Sequence, residues 1–205
     1  MIAIIDYGVG NLFSLQSSLR AIGAEAKVTN KIEEIRQADR IILPGVGAFA
    51  DAIAKLRQSG MEAIVKEEAA KGKPLLGICL GMQMLLEKNY EYGIHEGLGL
   101  IPGSVKPIAP MIGAELKVPH IGWNGLRFPK GREKSSLYRY VEEGEFVYFV
   151  HSYAGVDCDD FVTARAEYGT ELTASVEKGN VYGTQFHPEK SGEVGLKILR
   201  AFCEL

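Results

Sequence analysis

Short apolar segments alternate with segments of helical periodicity through the first half of the chain, and no other feature restricts the fold as strongly. Residues 2–5 read Ile-Ala-Ile-Ile, and residues 12–22 place leucine and isoleucine on one helical face. This alternation is typical of βαβ units, whose parallel strands lie buried between helices. The same patterns predict strands at 2–5, 26–29, 40–43 and 74–78 and helices at 12–22, 49–57, 61–71 and 82–87.

The second half of the chain has a different pattern, in which strand-like segments follow one another without helices between them. We predict strands at 104–107, 115–118, 126–128, 146–151, 161–167, 172–176 and 181–185, and a helix at 194–202. The expected fold class is therefore α/β, a mostly parallel open sheet flanked by helices, with a β-rich and partly antiparallel second half. At 205 residues, we expect a single domain spanning 1–205.

Composition excludes several classes of protein. Lys and Arg number 23 against 26 Asp and Glu, a balance that argues against binding to nucleic acid. Three cysteines, Cys79, Cys158 and Cys203, form no disulfide framework and fit a reducing compartment. The N-terminus lacks the features of a secretory signal, and the longest apolar stretch, 75–86, is too short to cross a bilayer. We expect a cytoplasmic protein without membrane contact.

Residues 77–81, Gly-Ile-Cys-Leu-Gly, place a cysteine where a predicted strand turns into a predicted helix. Glycines on both sides indicate a crowded, strained turn, the arrangement of a nucleophile elbow with Cys79 as the nucleophile. The N-terminus of the following helix favours the thiolate. The backbone N–H of Leu80 then lies where it can donate to a tetrahedral oxyanion. Taken alone, however, a cysteine in an apolar run is more often a small buried hydrophobic residue.

A thiol nucleophile needs a base, and the base needs a group that orients it. His187 follows the predicted strand 181–185, and Glu189 lies two residues further on. Pro188 biases His187 toward an extended conformation. Catalytic groups of α/β sheets gather at the carboxyl ends of strands, where both Cys79 and His187 are expected. The two motifs together therefore favour a Cys-His-Glu triad, although His-Pro-Glu alone is more typical of a surface turn.

Two further segments are less decisive. Pro44-Gly45-Val46-Gly47 follows the strand 40–43 and exposes backbone N–H groups that can complete an oxyanion hole, although by itself it is a plain turn. Trp123, in Pro-His-Ile-Gly-Trp-Asn at 119–124, is either a buried core residue or part of an exposed partner surface. The chain has no phosphate-binding loop, complete dinucleotide-binding sequence or metal-spaced Cys/His cluster, so we expect neither cofactor nor metal.

The paired motifs Pro-Leu-Leu-Gly-Ile-Cys-Leu-Gly-Met-Gln at 74–83 and His-Pro-Glu at 187–189 resemble those of the class I (triad) glutamine amidotransferases. The resemblance spans essentially the whole chain and implies a flavodoxin-like fold. Within that class, the segments 6–12, 44–49 and 119–124 resemble the glutaminase subunits of imidazole glycerol phosphate synthase. The sequence shows no departure in the triad.

The resemblance implies glutamine hydrolysis through a γ-glutamyl thioester on Cys79, with His187 as base and then acid, and Glu189 orienting it. Glutamine-binding residues implied by the family are Gln83, Ser152 and Tyr153. Oxyanion donors are implied at Gly45, Val46, Gly47 and Leu80.

The family resemblance also implies a partner, a (β/α)₈-barrel cyclase subunit that receives the ammonia and forms a heterodimer with this chain. Ammonia is mostly protonated in neutral water, so its transfer requires a sealed path. The residues implied at the interface are Asn11, His120, Trp123 and Asn124.

The sequence leaves three alternatives to this interpretation open. The chain could instead be a glutaminase subunit of another amidotransferase, another cysteine hydrolase on a similar scaffold, or a non-catalytic assembly subunit. In the hydrolases the histidine commonly follows the cysteine elbow closely, whereas here Gly81 follows Leu80 and the best histidine lies far along the chain. The intact Cys79, His187 and Glu189 argue against a non-catalytic role.

Overall fold

The computed structural model describes all residues, Met1–Leu205. Six α-helices are present: α1 Leu12–Ala21, α2 Ile32–Gln37, α3 Phe49–Gln58, α4 Met61–Ala70, α5 Leu80–Leu85 and α6 Gly192–Cys203. Thirteen strands are present: β1 Ile2–Ile5, β2 Ala26–Thr29, β3 Arg40–Gly45, β4 Leu75–Cys79, β5 Lys88–Asn89, β6 His95–Glu96, β7 Ser104–Pro107, β8 His120–Gly125, β9 Phe146–His151, β10 Tyr153–Val156, β11 Val162–Glu167, β12 Glu171–Lys178 and β13 Val181–Thr184.

A seven-stranded sheet forms the centre of the molecule, in the order β11-β12-β13-β4-β3-β1-β2. The five strands from β13 to β2 are parallel, and β12 and β11 add an antiparallel edge. The predicted fold class is confirmed. The pairing places Gly45 of β3 beside Cys79 of β4, and Thr184 of β13 beside Ile78. Three strands therefore end side by side, which is where α/β sheets carry their sites.

The central sheet is covered on both faces. One cluster of buried side chains includes Phe49 and Leu56 of α3 and Ile64 of α4. The other includes Leu15 of α1 and Phe202 of α6. Burying each such side chain contributes about 1.5–3 kcal/mol. Because β1 and β4 are buried along their whole length, their sequences are continuously apolar rather than alternating.

Two small sheets accompany the central one. The first has the order β10-β7-β5-β6, and the second is the antiparallel hairpin pair β8-β9. The strands β7 to β10 come from the β-rich half of the chain, whereas β5 and β6 precede it; β5, β6 and β10 were not predicted. Ile121 and Trp123 of β8 and Phe146 of β9 leave apolar side chains exposed on the β8–β9 pair. None of the helices combines the length and the apolar character that a membrane crossing requires.

Several predicted elements were wrong. Residues 115–118 form turns rather than a strand, because no neighbouring strand pairs with them and Leu116 N–H instead bonds back to the Gly113 carbonyl. Residues 126–128 make only an isolated bridge between Arg127 and Arg165. Conversely, neither α2 nor β8 was predicted, although β8 pairs along its whole length with β9.

Candidate active site

Cys79 lies at the tip of a strained turn between β4 and α5. Its backbone has φ 56° and ψ −110°, a conformation that costs a non-glycine residue on the order of 1–3 kcal/mol. A Cβ at Gly77 would lie 2.7 Å from the Gly81 carbonyl carbon, and one at Gly81 would overlap the Leu43 carbonyl oxygen. The expected elbow is therefore present, and both flanking glycines are required by close backbone approach.

His187 follows β13 and faces the same cavity as Cys79. Its backbone is extended, with φ −98° and ψ 100°, as expected before proline. Its Nδ1 lies 2.8 Å from Glu189 Oε1, and both side chains are at least 96% buried. The backbone is fixed as well, since the His187 N–H donates to the Tyr148 carbonyl at 3.0 Å and the Ser191 hydroxyl donates to the His187 carbonyl. This geometry orients one imidazole nitrogen toward Glu189 and leaves the other for Cys79.

The charge of His187 is set by its partners. Burial by itself lowers the pKa of His187, but hydrogen bonds to Cys79 and Glu189 and the charges on both outweigh burial and raise the pKa to about 9. The imidazole is therefore protonated at neutral pH. An imidazolium beside a thiol favours the thiolate, which is the nucleophilic form.

A cavity of about 300 Å³ opens over the sulfur. Its lining contains most of the residues singled out in the sequence: Val46, Gly47, Cys79, Leu80, Gln83, Ser152, Tyr153 and His187. It also contains His151, for which the sequence allowed either a site or a packing role, and Pro119 of the segment 119–124. Three lining residues were not indicated by the sequence: Glu91, Val150 and Lys190. The cavity thus combines the Cys79 thiol, the positively charged His187 imidazole and the Glu91 carboxylate, and its volume suits a small substrate.

The predicted oxyanion segment lies at the carboxyl end of β3. Gly45 needs to be glycine, because a Cβ there would lie 2.8 Å from the Gly81 nitrogen. Val46 and Gly47 extend into the cavity wall, and Gly47 has φ 90°. The Tyr7 hydroxyl donates to the Pro44 carbonyl at 2.7 Å and anchors the start of this segment. Burial raises the pKa of Tyr7, with Cys79 adding to the effect, so the phenol remains a donor.

The predicted interface residues differ in how far they are exposed. Trp123 is 50% exposed on β8, next to Tyr148 of β9 with ring centroids 5.9 Å apart, so the buried-core alternative is wrong. Asn11 and Asn124 are partly buried. His120 is 1% exposed, which corrects its assignment as a surface residue. Its ring is enclosed because it stacks on Phe149 and Tyr168.

Two residues that matter for the chemistry of the cavity were missed: Glu91 in its lining and Gln185 beside the sulfur. Gln185 had a readable signal, since it precedes His187 by two residues in an extended segment and so shares its face. Its Nε2 lies 3.8 Å from the Cys79 sulfur. Glu91 had no such signal, because only the pairing of β5 with β7, and of β7 with β10, brings its segment to the cavity.

Comparisons with known proteins agree with this geometry. Residues 3–204 match the family model described as "Glutamine amidotransferase class-I". "Imidazole glycerol phosphate synthase subunit HisH" of Oceanobacillus iheyensis is 50% identical, with 100% of this chain and 99% of the relative covered. The HisH proteins of Moorella thermoacetica and Listeria monocytogenes are 49% and 45% identical, covering 100% of this chain and 94% and 96% of theirs.

Solved structures support the fold. A crystal structure titled as a glutamine amidotransferase has a TM-score of 0.76 at 21% identity, covering 100% of this chain and 98% of its own. "Structure of PurLQS from Thermotoga maritima" has a TM-score of 0.76 at 23% identity, covering 99% and 97%. The chain belongs to the class-I glutamine amidotransferase family and, within it, to the HisH subunits of imidazole glycerol phosphate synthase.

Proposed function

We propose that this chain hydrolyses L-glutamine to glutamate and ammonia with Cys79, His187 and Glu189 as its catalytic triad. The observation that carries the proposal is the shared cavity, in which a strained cysteine meets a histidine held by a buried carboxylate. A thiolate–imidazolium pair supplies both the nucleophile and the acid that an amide substrate requires.

The reaction proceeds in two halves. The Cys79 thiolate attacks the carboxamide carbon, and the oxyanion is stabilised by N–H groups of Leu80 and of the segment Gly45 to Gly47. His187 gives its proton to the departing nitrogen, the C–N bond breaks, and ammonia leaves. The γ-glutamyl group remains bound to the Cys79 sulfur as a thioester. His187 then takes a proton from water, the hydroxide attacks the thioester carbon, and glutamate leaves as the thiolate is restored. Glu189 holds the imidazole in one orientation throughout.

Glutamine is held by its charged end. Glu91 reaches the cavity as a carboxylate, and its Oε2 accepts the Phe49 N–H at the start of α3. Its other oxygen is suited to the substrate ammonium. Gln83 donates from Nε2 to the Tyr153 carbonyl at 3.2 Å, which leaves its own carbonyl oxygen to accept from substrate. Ser152 and Tyr153 complete this side of the cavity.

The ammonia passes to a (β/α)₈-barrel cyclase subunit, which makes imidazole glycerol phosphate and an aminoimidazole carboxamide ribotide in histidine biosynthesis. The two subunits form a cytoplasmic heterodimer, in which residues 1–205 act as one domain. The exposed Trp123, Ile121 and Phe146 supply an apolar docking surface. Because β9 accepts the His187 N–H through the Tyr148 carbonyl, docking on the hairpin is coupled directly to the triad.

The test of the nucleophile is Cys79→Ala in the complex with the cyclase. We expect glutamine-dependent synthesis to be abolished and ammonia-dependent synthesis to continue, since only ammonia production is removed. Cys203→Ala is the matched control, because Cys203 is a half-buried thiol on α6 outside the cavity. Survival of glutamine-dependent turnover in Cys79→Ala would show that the nucleophile is misassigned.

The same preparation tests coupling to the partner. A chain that hydrolysed glutamine alone would waste it, and Val46 and Gly47 lie where docking can reorient backbone donors. We expect slow glutamine hydrolysis by the isolated chain and a strong increase with cyclase and its nucleotide substrate. Equal ammonia release with and without the cyclase would refute the coupling while leaving the triad intact.

A further inference from the structure

Gln185 contacts the nucleophilic sulfur and has no role in the triad. It follows β13, is fully buried, and its Nε2 lies 3.8 Å from Cys79 Sγ. Its Oε1 lies 3.1 Å from Gln83 Nε2. A buried amide is retained at such a position only when its hydrogen-bonding groups are used, because an unpaired one costs about 1–3 kcal/mol. Both ends of the Gln185 amide therefore have partners, and one of them is the sulfur.

The hydrogen-bond chain fixes which end of the amide faces the sulfur. The Tyr153 carbonyl can only accept, so Gln83 must present its NH₂ group there, at 3.2 Å. The same NH₂ group reaches Gln185, which must therefore turn its carbonyl oxygen toward Gln83. The NH₂ group of Gln185 is left pointing at Cys79. A backbone carbonyl thus determines, through two side chains, that an N–H donor meets the sulfur.

This donor favours one ionisation state of the sulfur. A thiolate accepts hydrogen bonds, and a charge-assisted bond is about twice as strong as a neutral one. Besides His187, the sulfur has one further polar neighbour, the Val150 carbonyl at 4.0 Å, which serves only the neutral thiol because a carbonyl oxygen cannot donate. Gln185 and Val150 therefore favour opposite ionisation states of the sulfur. An ionised sulfur that is 92% buried also needs such a donor, since desolvation otherwise disfavours the charge.

We propose that Gln185 is a further catalytic residue, whose side-chain amide donates a hydrogen bond to the Cys79 thiolate and is held in that orientation by Gln83. The bond stabilises the thiolate before it attacks and again when it is the leaving group of thioester hydrolysis. The proposal rests on the proposed function, because it assigns Cys79 as the nucleophile. It also links the sulfur to Gln83, on the glutamine-binding side of the cavity.

The test measures alkylation of Cys79 by iodoacetamide as a function of pH, with the adduct located by mass spectrometry. In Gln185→Met, an apolar side chain of similar length, we expect the rate on the acid side of the wild-type midpoint to fall about tenfold, which is the effect of a one-unit shift in thiolate formation. The rates of variant and wild type should converge at high pH, where both thiols are ionised. Loss of access instead of loss of thiolate would lower the rate at every pH.

Thr184→Val is the matched control. Thr184 is the preceding residue, is equally buried, and its hydroxyl has no hydrogen-bond partner, so the change removes a polar atom without touching the sulfur. We expect its Cys79 alkylation profile to match that of the wild type. A folded Gln185→Met chain with an unchanged profile would overturn the proposal, as would an equal slowing in Thr184→Val.

A second measurement needs no substitution at position 185. In the wild-type chain, the side-chain ¹⁵N resonance of Gln185 should titrate with the same midpoint as Cys79 alkylation, and the titration should vanish in Cys79→Ala. A resonance that is independent of pH would overturn the proposal even if Gln185→Met does not fold. Neither readout requires turnover, so their failure is distinguishable from survival of glutamine-dependent synthesis in Cys79→Ala, which would defeat the proposed function itself.

Discussion

Two neighbouring regions of the molecule bury histidines, and one region keeps its histidine charged while the other keeps its histidines neutral. At the carboxyl edge of the central sheet, hydrogen bonds to Cys79 and Glu189 raise the pKa of His187 to about 9 in spite of burial. On the β8–β9 hairpin, burial lowers the pKa of His151 to about 4, helped by His120 and His187, although its bond to the Tyr153 carbonyl opposes this. Both rings line or adjoin one cavity, so the anionic partner and not burial decides which imidazole is charged.

The neutral state of the hairpin histidines follows from comparing two costs. His120 Nδ1 lies 3.0 Å from His151 Nε2, and His120 Nε2 lies 2.7 Å from Asn124 Oδ1. Satisfying every contact along this chain would require an extra proton between the rings. A neutral pair forgoes one hydrogen bond at Asn124, about 1–3 kcal/mol. An additional buried charge beside the His187 imidazolium would cost more, so the rings remain neutral.

The largest expected effect comes from removing the anion that distinguishes His187. Glu189→Gln keeps the shape but loses the carboxylate, so the pKa of His187 falls and the imidazole loses its fixed orientation. We expect kcat for glutamine hydrolysis in the complex to fall by about 10³- to 10⁴-fold, as for the orienting acid of other triads. Glu193→Gln, an exposed carboxylate on α6, is the control and should retain full activity. A Glu189→Gln complex with near-normal kcat would contradict the orienting role.

The two histidines also predict opposite dependence of stability on pH. For His187, whose pKa is raised on folding, the stabilisation is complete below pH 6.5 and is lost as the pH rises to about 9. For His151, whose pKa is lowered, it is present above pH 6.5 and is lost as the pH falls to about 4. Each contributes at most about 1.4 kcal/mol per pH unit within its window.

Urea unfolding of the isolated chain between pH 4 and 9 measures how the free energy of unfolding changes with pH on the acid side and on the alkaline side. The two histidines can be separated by substitution, since His151→Gln should remove slope from the acid side only and His187→Gln from the alkaline side only. If the free energy of unfolding has the same pH dependence in both variants, other groups dominate that dependence. The different pKa values of the two histidines would then make no measurable difference to stability.

A smaller effect is expected at the outer face of the hairpin. Trp123→Ala removes a half-exposed aromatic side chain that packs on Tyr148 without reaching the triad. We expect the Kd for the cyclase to rise about 10- to 100-fold, the range for an aromatic interface residue, with thiol alkylation of Cys79 unchanged. Tyr140→Phe is the control, because Tyr140 is 40% exposed but bonds Glu204 near the C-terminus. Unchanged affinity for Trp123→Ala in a titration would exclude this face from the interface.

The residues of the proposed triad could be picked out from the sequence because the signals at each of its two segments are local. Gly-x-Cys-x-Gly is typical of a nucleophile-elbow turn, and one residue separates His187 from Glu189. The structure adds what long-range packing alone determines. Gln185 meets Cys79 because β13 and β4 pair in register, and His151 meets the cavity through β9.

The secondary-structure elements could likewise be predicted where their signals are local and were missed where long-range packing determines them. Buried strands such as β1 and β4 were predictable from their apolar runs. The strand β8 was missed because its glycines disfavour a strand until β9 supplies the partner, with Gly122 at φ 149°. The helix α2 was missed because only Ile35 of its six residues is buried, which leaves almost no periodicity.

The smallest expected effect tests whether a carboxylate partner can raise the pKa of a hairpin histidine, as Glu189 does for His187. Asn124 bonds His120 through Oδ1 and the Glu167 carbonyl through Nδ2. Asn124→Asp places a carboxylate where His187 has Glu189, and it should raise the pKa of His120 by about one unit, as nearby opposite charges do. Asn124→Ala is the control and should not raise it, since the Asn124 bond opposes the lowering of that pKa by burial. NMR titration of the imidazoles measures both, and an unshifted His120 in Asn124→Asp would show that burial outweighs an anionic partner at this site.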